Sequence, residues 1–376
     1  MSHLSRRHVL LGMGATLMAS PATPLAAATF EWQPVAPADA VFAPDLEARL
    51  DKLIADKRAW NLHGVVIVRS GRLVLERNFA GPDWAVTRNL GNVAFGPGTL
   101  HDLRSVTKSI VGLLYGIALE QGKVPPPEAP LFASFPAYAD LAAGRERLTI
   151  HHVLSMTMGT DWDESTIPYT DPTNSEIAME FAPDRYRYIL ERRVVGEPGK
   201  RWTYSGGATA LLGRIIADGT AKPLPDFACD VLFDPLGIGP TEWFAGRDGV
   251  HSAASGLRMT PRDLARIGLL MLGGGVWQDR RIVSAHWLEK CVEQIVSCDE
   301  FRRFGYHWYV GDLTVGTAPK ARLERWWGCN GNGGQRLYVM PGLDLAVAIT
   351  AGNYSAHEQW VPPNRVLREV VLPSIV

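Results

Sequence analysis

Two periodicities divide the chain. HGVVIVRSGRLVLERNF (63–79) has the pattern of two strands folded back around Ser70-Gly71, an antiparallel hairpin. Near the other end, FGYHWYVGD (304–312) and QRLYVMPGLDLAVAITAG (335–352) are again β-rich, the second turning at Pro341-Gly342. Between them, apolar residues recur at helical spacing over 105–121, 148–158, 176–192, 207–220, 260–273 and 284–296. NRVLREVVLPSI predicts a last helix, broken late by Pro373. Strands at both ends with helices between them predict an α+β fold. Its antiparallel sheet is built from N- and C-terminal segments (about 60–100 and 300–376), flanked by helices. A mainly helical region (about 101–299) is inserted between the two halves. The crevice between sheet and helices is the natural place for a site.

Composition adds boundaries. The 376 residues are 46% hydrophobic and 20% charged, with a net charge of −1, an ordinary globular balance. No basic stripe or internal repeat is present, so no nucleic-acid partner is expected. The first residues have a different character: basic MSHLSRRH, apolar VLLGMGATLMAS and small-residue PATPLAAA. That is the layout of an export signal over 1–28, with Ser5-Arg6-Arg7 favouring the twin-arginine type. The domain over 29–376 would then act in the periplasm or outside a bacterial cell. No later stretch has about 18 uninterrupted apolar residues, so no stable membrane anchor is expected after signal cleavage. Oligomeric state is not legible. Cys291 and Cys298 would stand about 10.5 Å apart on a continuous helix, beyond disulfide reach. With Cys229 and Cys329 they are expected as free thiols, without metal-ligand spacing.

Candidate chemistry begins at HDLRSVTKSIVGLLYGIALE (101–120). On a helix, Ser105 and Lys108 share a face one turn apart. The run that follows is apolar nearly all round, which argues for burial. A serine needs a base, and a lysine desolvated by burial would lose its charge and serve as one. The bland reading of the same spacing is a capping serine followed by a surface lysine.

Two further stretches shift the balance. In PGKRWTYSGGATALLGRII (198–216), Tyr204 precedes an apolar helix and could relay a proton to the serine–lysine pair; a nearby ammonium would depress its pKa. In GCNGNGGQRLYVMP (328–341), glycines stand just before a strand, where backbone can approach a ligand. An exposed edge strand there would offer an N–H, that of Gln335, to a developing oxyanion.

Taken together, these stretches resemble the serine β-lactamase and penicillin-binding-protein-like hydrolases, closest to class C β-lactamases and their esterase, D-aminopeptidase and amide-hydrolase relatives. Ser105-Val106-Thr107-Lys108 matches the S-x-x-K motif. Tyr204-Ser205-Gly206 falls on Tyr-x-Asn, and Asn332-Gly333-Gly334 on the Lys-Thr-Gly or His-x-Gly motif. The resemblance covers roughly 45–370. It implies the β-lactamase/DD-peptidase-like fold and an acyl-enzyme mechanism without metal or organic cofactor. Ser105 would be the nucleophile, Lys108 and Tyr204 the acid/base pair, and the N–H groups of Ser105 and Gln335 the oxyanion hole. Asn332, Gly333, Gly334, Trp327 and Arg336 would contact a small ester or amide. Trp326 would wall the acyl pocket beside Trp327, and Trp162, Tyr169 and Tyr186 the helical side. Asp161, Asp163 and Glu164 read as a solvated loop or cap.

Two departures from the pattern bear on substrate. Gly206 stands where these proteins have an asparagine, and Asn332 where they have a cation, with Arg336 close enough to replace it. Both favour a small ester or amide over a β-lactam. A weak β-lactamase, a D-amino-acid peptidase or amidase, and a non-turnover sensor domain are the alternatives.

Overall fold

The computed structural model describes residues 30–316, 319 and 321–376; the predicted export segment lies outside them. Eight antiparallel strands form the main sheet. They are β1 (Leu62–Arg69), β2 (Arg72–Asn78), β3 (Val296–Ser297), β4 (Arg302–Phe304), β5 (Tyr309–Val315), β6 (Arg322–Gly331), β7 (Gln335–Met340) and β8 (Leu345–Ala351). Their spatial order is β3-β4-β5-β6-β7-β8-β1-β2. The two ends of the chain therefore meet inside the sheet, where β1 pairs with β8 in the register Val65↔Ile349 and Ile67↔Val347. Both strands are apolar on both faces because both faces are covered.

The predicted sheet is trimmed at one end. Gly81–Ala85 and Arg88–Val93 form a separate two-stranded ribbon, and His101–Asp102 joins a small sheet with Leu257–Met259 and Glu242–Trp243. The predicted helix over 176–192 is two helices, Ser175–Phe181 and Arg185–Leu190, separated at Ala182-Pro183 and each started by an Asn or Asp cap.

Three helices position the site: α1 (Val106–Glu120), α2 (Gly206–Thr220) and α3 (Pro261–Leu272). Helix α3 is amphipathic and lies across β8, β1 and β7. Helix α1 is buried from Val106 through Ala118, clamped between α2 and β6. Its hydroxyl at Ser109 donates to His307 O at 2.6 Å, which fixes the helix against the chain entering β5. All four cysteines are free thiols. Among the described residues no helix is long and apolar enough to cross a membrane.

Candidate active site

Ser105 occupies the cap position of α1, yet its hydroxyl makes no capping bond to the helix. The preceding Arg104 is held at φ +49°, an uncommon conformation for a side-chain-bearing residue. Three contacts secure it: Arg104 N–H donates to Asp102 Oδ1 at 2.9 Å, Nη2 donates to Val86 O at 3.0 Å, and the guanidinium stacks on Tyr354. This turn frees the Ser105 side chain for Lys108, whose Nζ donates to Ser105 Oγ at 3.1 Å. Among the described residues no protein acceptor takes the Ser105 N–H. The capping-serine reading is therefore set aside, and Lys108 is far from a surface lysine, being 2% exposed.

The expected uncharged amine is not what surrounds Lys108. Its Nζ also donates to Ala254 O at 2.9 Å and to Glu176 Oε2 at 3.2 Å, with Glu164 Oε1 at 3.7 Å. Burial alone would lower its pKa, but the charges of Glu176, Tyr204 and Glu164 outweigh it and hold Lys108 above its ordinary value, as an ammonium. The correction follows from the company the amine keeps: desolvation neutralises a lone lysine, and this one is paired.

Both carboxylates are buried. Glu164 Oε2 accepts from Trp162 Nε1 and from Gly206 N–H, each at 2.7 Å, and Tyr169 OH reaches Oε1 at 3.3 Å. Glu176 stands in the first turn of Ser175–Phe181, where the Asn174 side chain caps its N–H at 3.0 Å. Burial, followed by the charge of neighbouring Glu176, pushes Glu164 up to about 8, so Glu164 keeps its proton at neutral pH. Gly206 makes this possible. A Cβ there would lie 2.5 Å from Glu176 Oε2 and 3.1 Å from Glu164 Oε2, so the carboxylates fill the space a side chain at 206 would need.

Tyr204 joins the pair as expected in position but not in charge. Its hydroxyl is in hydrogen-bond reach of Ser105, and Lys108 Nζ lies 4.9 Å from its ring centroid. Burial raises its pKa to about 12 against the opposing pull of Lys108, so the phenol is neutral rather than depressed.

The third segment arrives differently from the expectation. Strand β7 is not an edge; it lies between β6 and β8, and Gln335 pairs with Gly331 across the ladder. Gln335 is fully buried, and its amide is spent on Asn332 O and Ala351. Gly333 and Gly334 turn at φ +94° and +101° and face Tyr354 and Gln359 instead of Ser105. What reaches the serine is the end of β6. A Cβ on Gly331 would lie 2.2 Å from Leu103 O, so only glycine lets this strand touch the loop ahead of Ser105. Asn330 and Asn332 then border the same cavity as Ser105, and no acceptor among the described residues takes the Asn332 N–H.

That cavity measures about 720 Å³. Alternation along β6 and β7 decides which side chains line it. Trp326, Asn330, Arg336 and Tyr338 face it, whereas Trp327 points to the opposite face and is absent from the wall. Arg336 is only 5% exposed and stacks 4.0 Å over Trp360. No carboxylate among the described residues pairs with it, and burial lowers its pKa without discharging it. Tyr169 also lines the cavity. Trp162 lies behind it on Glu164, and Tyr186 packs elsewhere, against Phe135.

Sequence reasoning missed Glu176 and misplaced Glu164 in a solvated loop. Acids in a loop carry no periodicity that would reveal burial. The available signal was Gly206, a glycine in a helix start that needed no positive φ, and hence a space reserved for something else.

Comparison with known proteins follows the same lines. A sequence model of the beta-lactamase family matches residues 50–369. A 6-aminohexanoate-dimer hydrolase of Paenarthrobacter ureafaciens is 25% identical over 363 residues, covering 90% of this chain and 81% of its own length. Among solved structures, a candidate 6-aminohexanoate-dimer hydrolase of Bacillus anthracis superposes with TM-score 0.66 at 18% identity, covering 85% of this chain and 82% of its own. A class C beta lactamase of Rhodobacter sphaeroides gives 0.62 at 18%, covering 87% and 99%. At these identities the superpositions speak for the fold.

Proposed function

The chain belongs to the beta-lactamase family, and from that premise we propose that it is a serine hydrolase of small amides or esters working through an acyl-enzyme. Ser105 Oγ attacks the substrate carbonyl while its proton passes to the Lys108–Tyr204 pair. The N–H groups of Ser105 and Asn332, the latter in place of Gln335, receive the oxyanion. The leaving group departs with a proton from the same pair. Water then attacks the acyl-Ser105 ester, giving up its proton by the same route, and the acid is released.

The observation that carries this reading is the Lys108 Nζ bond to Ser105 Oγ at 3.1 Å, with Tyr204 in reach, on the wall of a large cavity. The unpaired Arg336 guanidinium supports a substrate that brings its own anion, such as a carboxylate. The relative named as a 6-aminohexanoate-dimer hydrolase supports linear amides among the substrates to be tried. The basic and apolar opening of the chain supports export to the periplasm or beyond, which N-terminal sequencing of the mature protein tests.

A fluorophosphonate probe should add one equivalent to the wild-type chain and none to Ser105→Ala. Undiminished labelling of the variant would overturn the assignment. Among substrates, kcat/KM for p-nitrophenyl acetate should exceed that for nitrocefin. The reverse preference would make the chain a weak β-lactamase, and a burst without turnover would make it a sensor.

A further inference from the structure

Lys108 has three N–H bonds to give, and three acceptors take them: Ser105 Oγ, Ala254 O and Glu176 Oε2. In that state it donates to the serine and has no lone pair for the serine's proton. Tyr204, a neutral phenol, is likewise a donor at neutral pH. A base appears only if one ammonium proton leaves. Of the three acceptors, the Ala254 carbonyl has no appreciable basicity, and Ser105 is the group to be deprotonated. The third is a carboxylate.

We propose that Glu176 takes a proton from Lys108 as Lys108 takes one from Ser105, so that the glutamate sets the basicity of the lysine. The steps balance. One Lys108 N–H bond breaks and one Glu176 O–H bond forms. Rotation about the Cε–Nζ bond brings the freed lone pair to face Ser105, where it accepts the Ser105 proton as the Oγ–carbonyl bond forms, restoring the ammonium. Glu176 holds the extra proton through the tetrahedral intermediate. When the leaving group takes a proton from the Lys108–Tyr204 side, Glu176 returns its own to the lysine. Glu164 keeps one proton in the carboxyl pair, and this leaves Glu176 a single well-defined place to accept. The groups facing Glu176 are Lys108, Glu164 and, across the cluster, Tyr169 and Tyr204; Glu180 lies on its own helix with Arg185 beyond. Glu176 acts through Lys108 and is a positioning and relay residue, not one that touches substrate.

This inference rests on Ser105 being the nucleophile, and the two fail differently. Loss of probe specificity for Ser105 sinks the nucleophile; the tests below are read only on chains labelled at Ser105. In the wild-type chain, kcat/KM should be level from about pH 5.5 to 7, below the range in which Glu164 gives up its proton, because the proton moves internally. A tenfold rise per pH unit across that range would mean that Lys108 must discharge to solvent, and it would overturn the relay without any variant. Glu176→Gln keeps the size and the hydrogen bonds but cannot accept. It should lower kcat by about 10²- to 10⁴-fold and convert the level profile into one that climbs with pH. Glu176→Asp should recover part of the loss at neutral pH. A Glu176→Gln chain that keeps kcat within threefold and a level profile would reduce Glu176 to a structural counter-ion.

Discussion

Two buried clusters of ionisable groups among the described residues resolve their burial in opposite ways. Around Lys108 the charges are matched: an ammonium faces Glu176 at 3.2 Å and a Glu164 that burial keeps protonated at neutral pH. At the other cluster, His63 Nδ1 meets His101 Nε2 at 2.8 Å, His101 Nδ1 bonds Asp102 O at 3.0 Å, and Asp83 accepts from Tyr354 OH at 2.7 Å. There burial dominates. It lowers His63 to about 3 and His101 to about 4, so both rings are neutral. The first cluster borders an open cavity and contains the Ser105 hydroxyl; the second is sealed under the ribbon that carries Asp83. Buried titratable groups alone do not mark a reaction centre. The proposed reaction rests instead on a retained charge that donates to a serine hydroxyl at the cavity wall, beside backbone N–H groups that no acceptor among the described residues takes.

Removing the Ser105 oxygen should separate the clusters most sharply. Ser105→Ala should reduce hydrolysis by at least about 10³-fold while leaving the thermal midpoint within a few degrees, since the hydroxyl caps nothing. Lys108→Met should be nearly as damaging to rate and much worse for folding. Deleting one partner of a buried ion pair costs about 3–5 kcal/mol, here softened at low pH because Glu164, raised to about 8, is protonated there. The variant's deficit in denaturant midpoint should therefore be smaller at pH 5 than at pH 8. An equal deficit at both would mean that the carboxylates do not depend on the ammonium.

Much of this was legible in the chain. The pairing of the two ends into one sheet followed from where the alternating segments lie, and the structure brings Ser105, Lys108 and Tyr204 together, as their spacing and context led one to expect. What failed shares a cause. The charge on Lys108 depends on Glu164 and Glu176, which approach it from loops and a short helix far along the chain. The sequence reading rested on an exposed edge strand at Gln335, whereas the glycine that meets Leu103 is Gly331; a run of glycines does not announce which one makes the contact. Trp327 was preferred to Trp326 although the two alternate across a strand, and only the sheet's orientation says which faces the cavity. Motif order survives without coordinates; protonation and strand facing do not.

The two clusters also make opposite demands on pH. His63 and His101 have folded pKa values below the ordinary 6.5, so the unfolded chain takes up their protons first. Their contribution is whole above about pH 6.5 and is lost as pH falls toward 4 and 3, by about 3 kcal/mol for His101 alone. Glu164 is the reverse: raised from 4.5 to about 8, its contribution is whole below about pH 4.5 and is lost as pH rises to 8. Stability measured by denaturant should peak between these limits. Glu164→Gln should flatten the alkaline side and leave the acid side as it was. A variant that changed both slopes equally would show the clusters to be coupled.

The smallest expected effect tests whether the sealed cluster is structural only. Tyr354→Phe removes the hydroxyl that donates to Asp83 Oδ1 and keeps the ring that stacks under Arg104. Asp83 Oδ2 already has no hydrogen-bond partner among the described residues; the cation nearest to it is Arg258 at 3.8 Å, and the His101 ring 3.7 Å from Oδ1 is neutral. Losing the phenol should therefore cost about 1–3 kcal/mol of stability, the penalty for a buried acceptor left unmet. The retained ring still holds Arg104 in the turn ahead of Ser105, so kcat should stay within threefold. If kcat falls with stability barely changed, the Asp83–Tyr354 bond reaches the nucleophile through Arg104, and the sealed cluster belongs to the reaction after all.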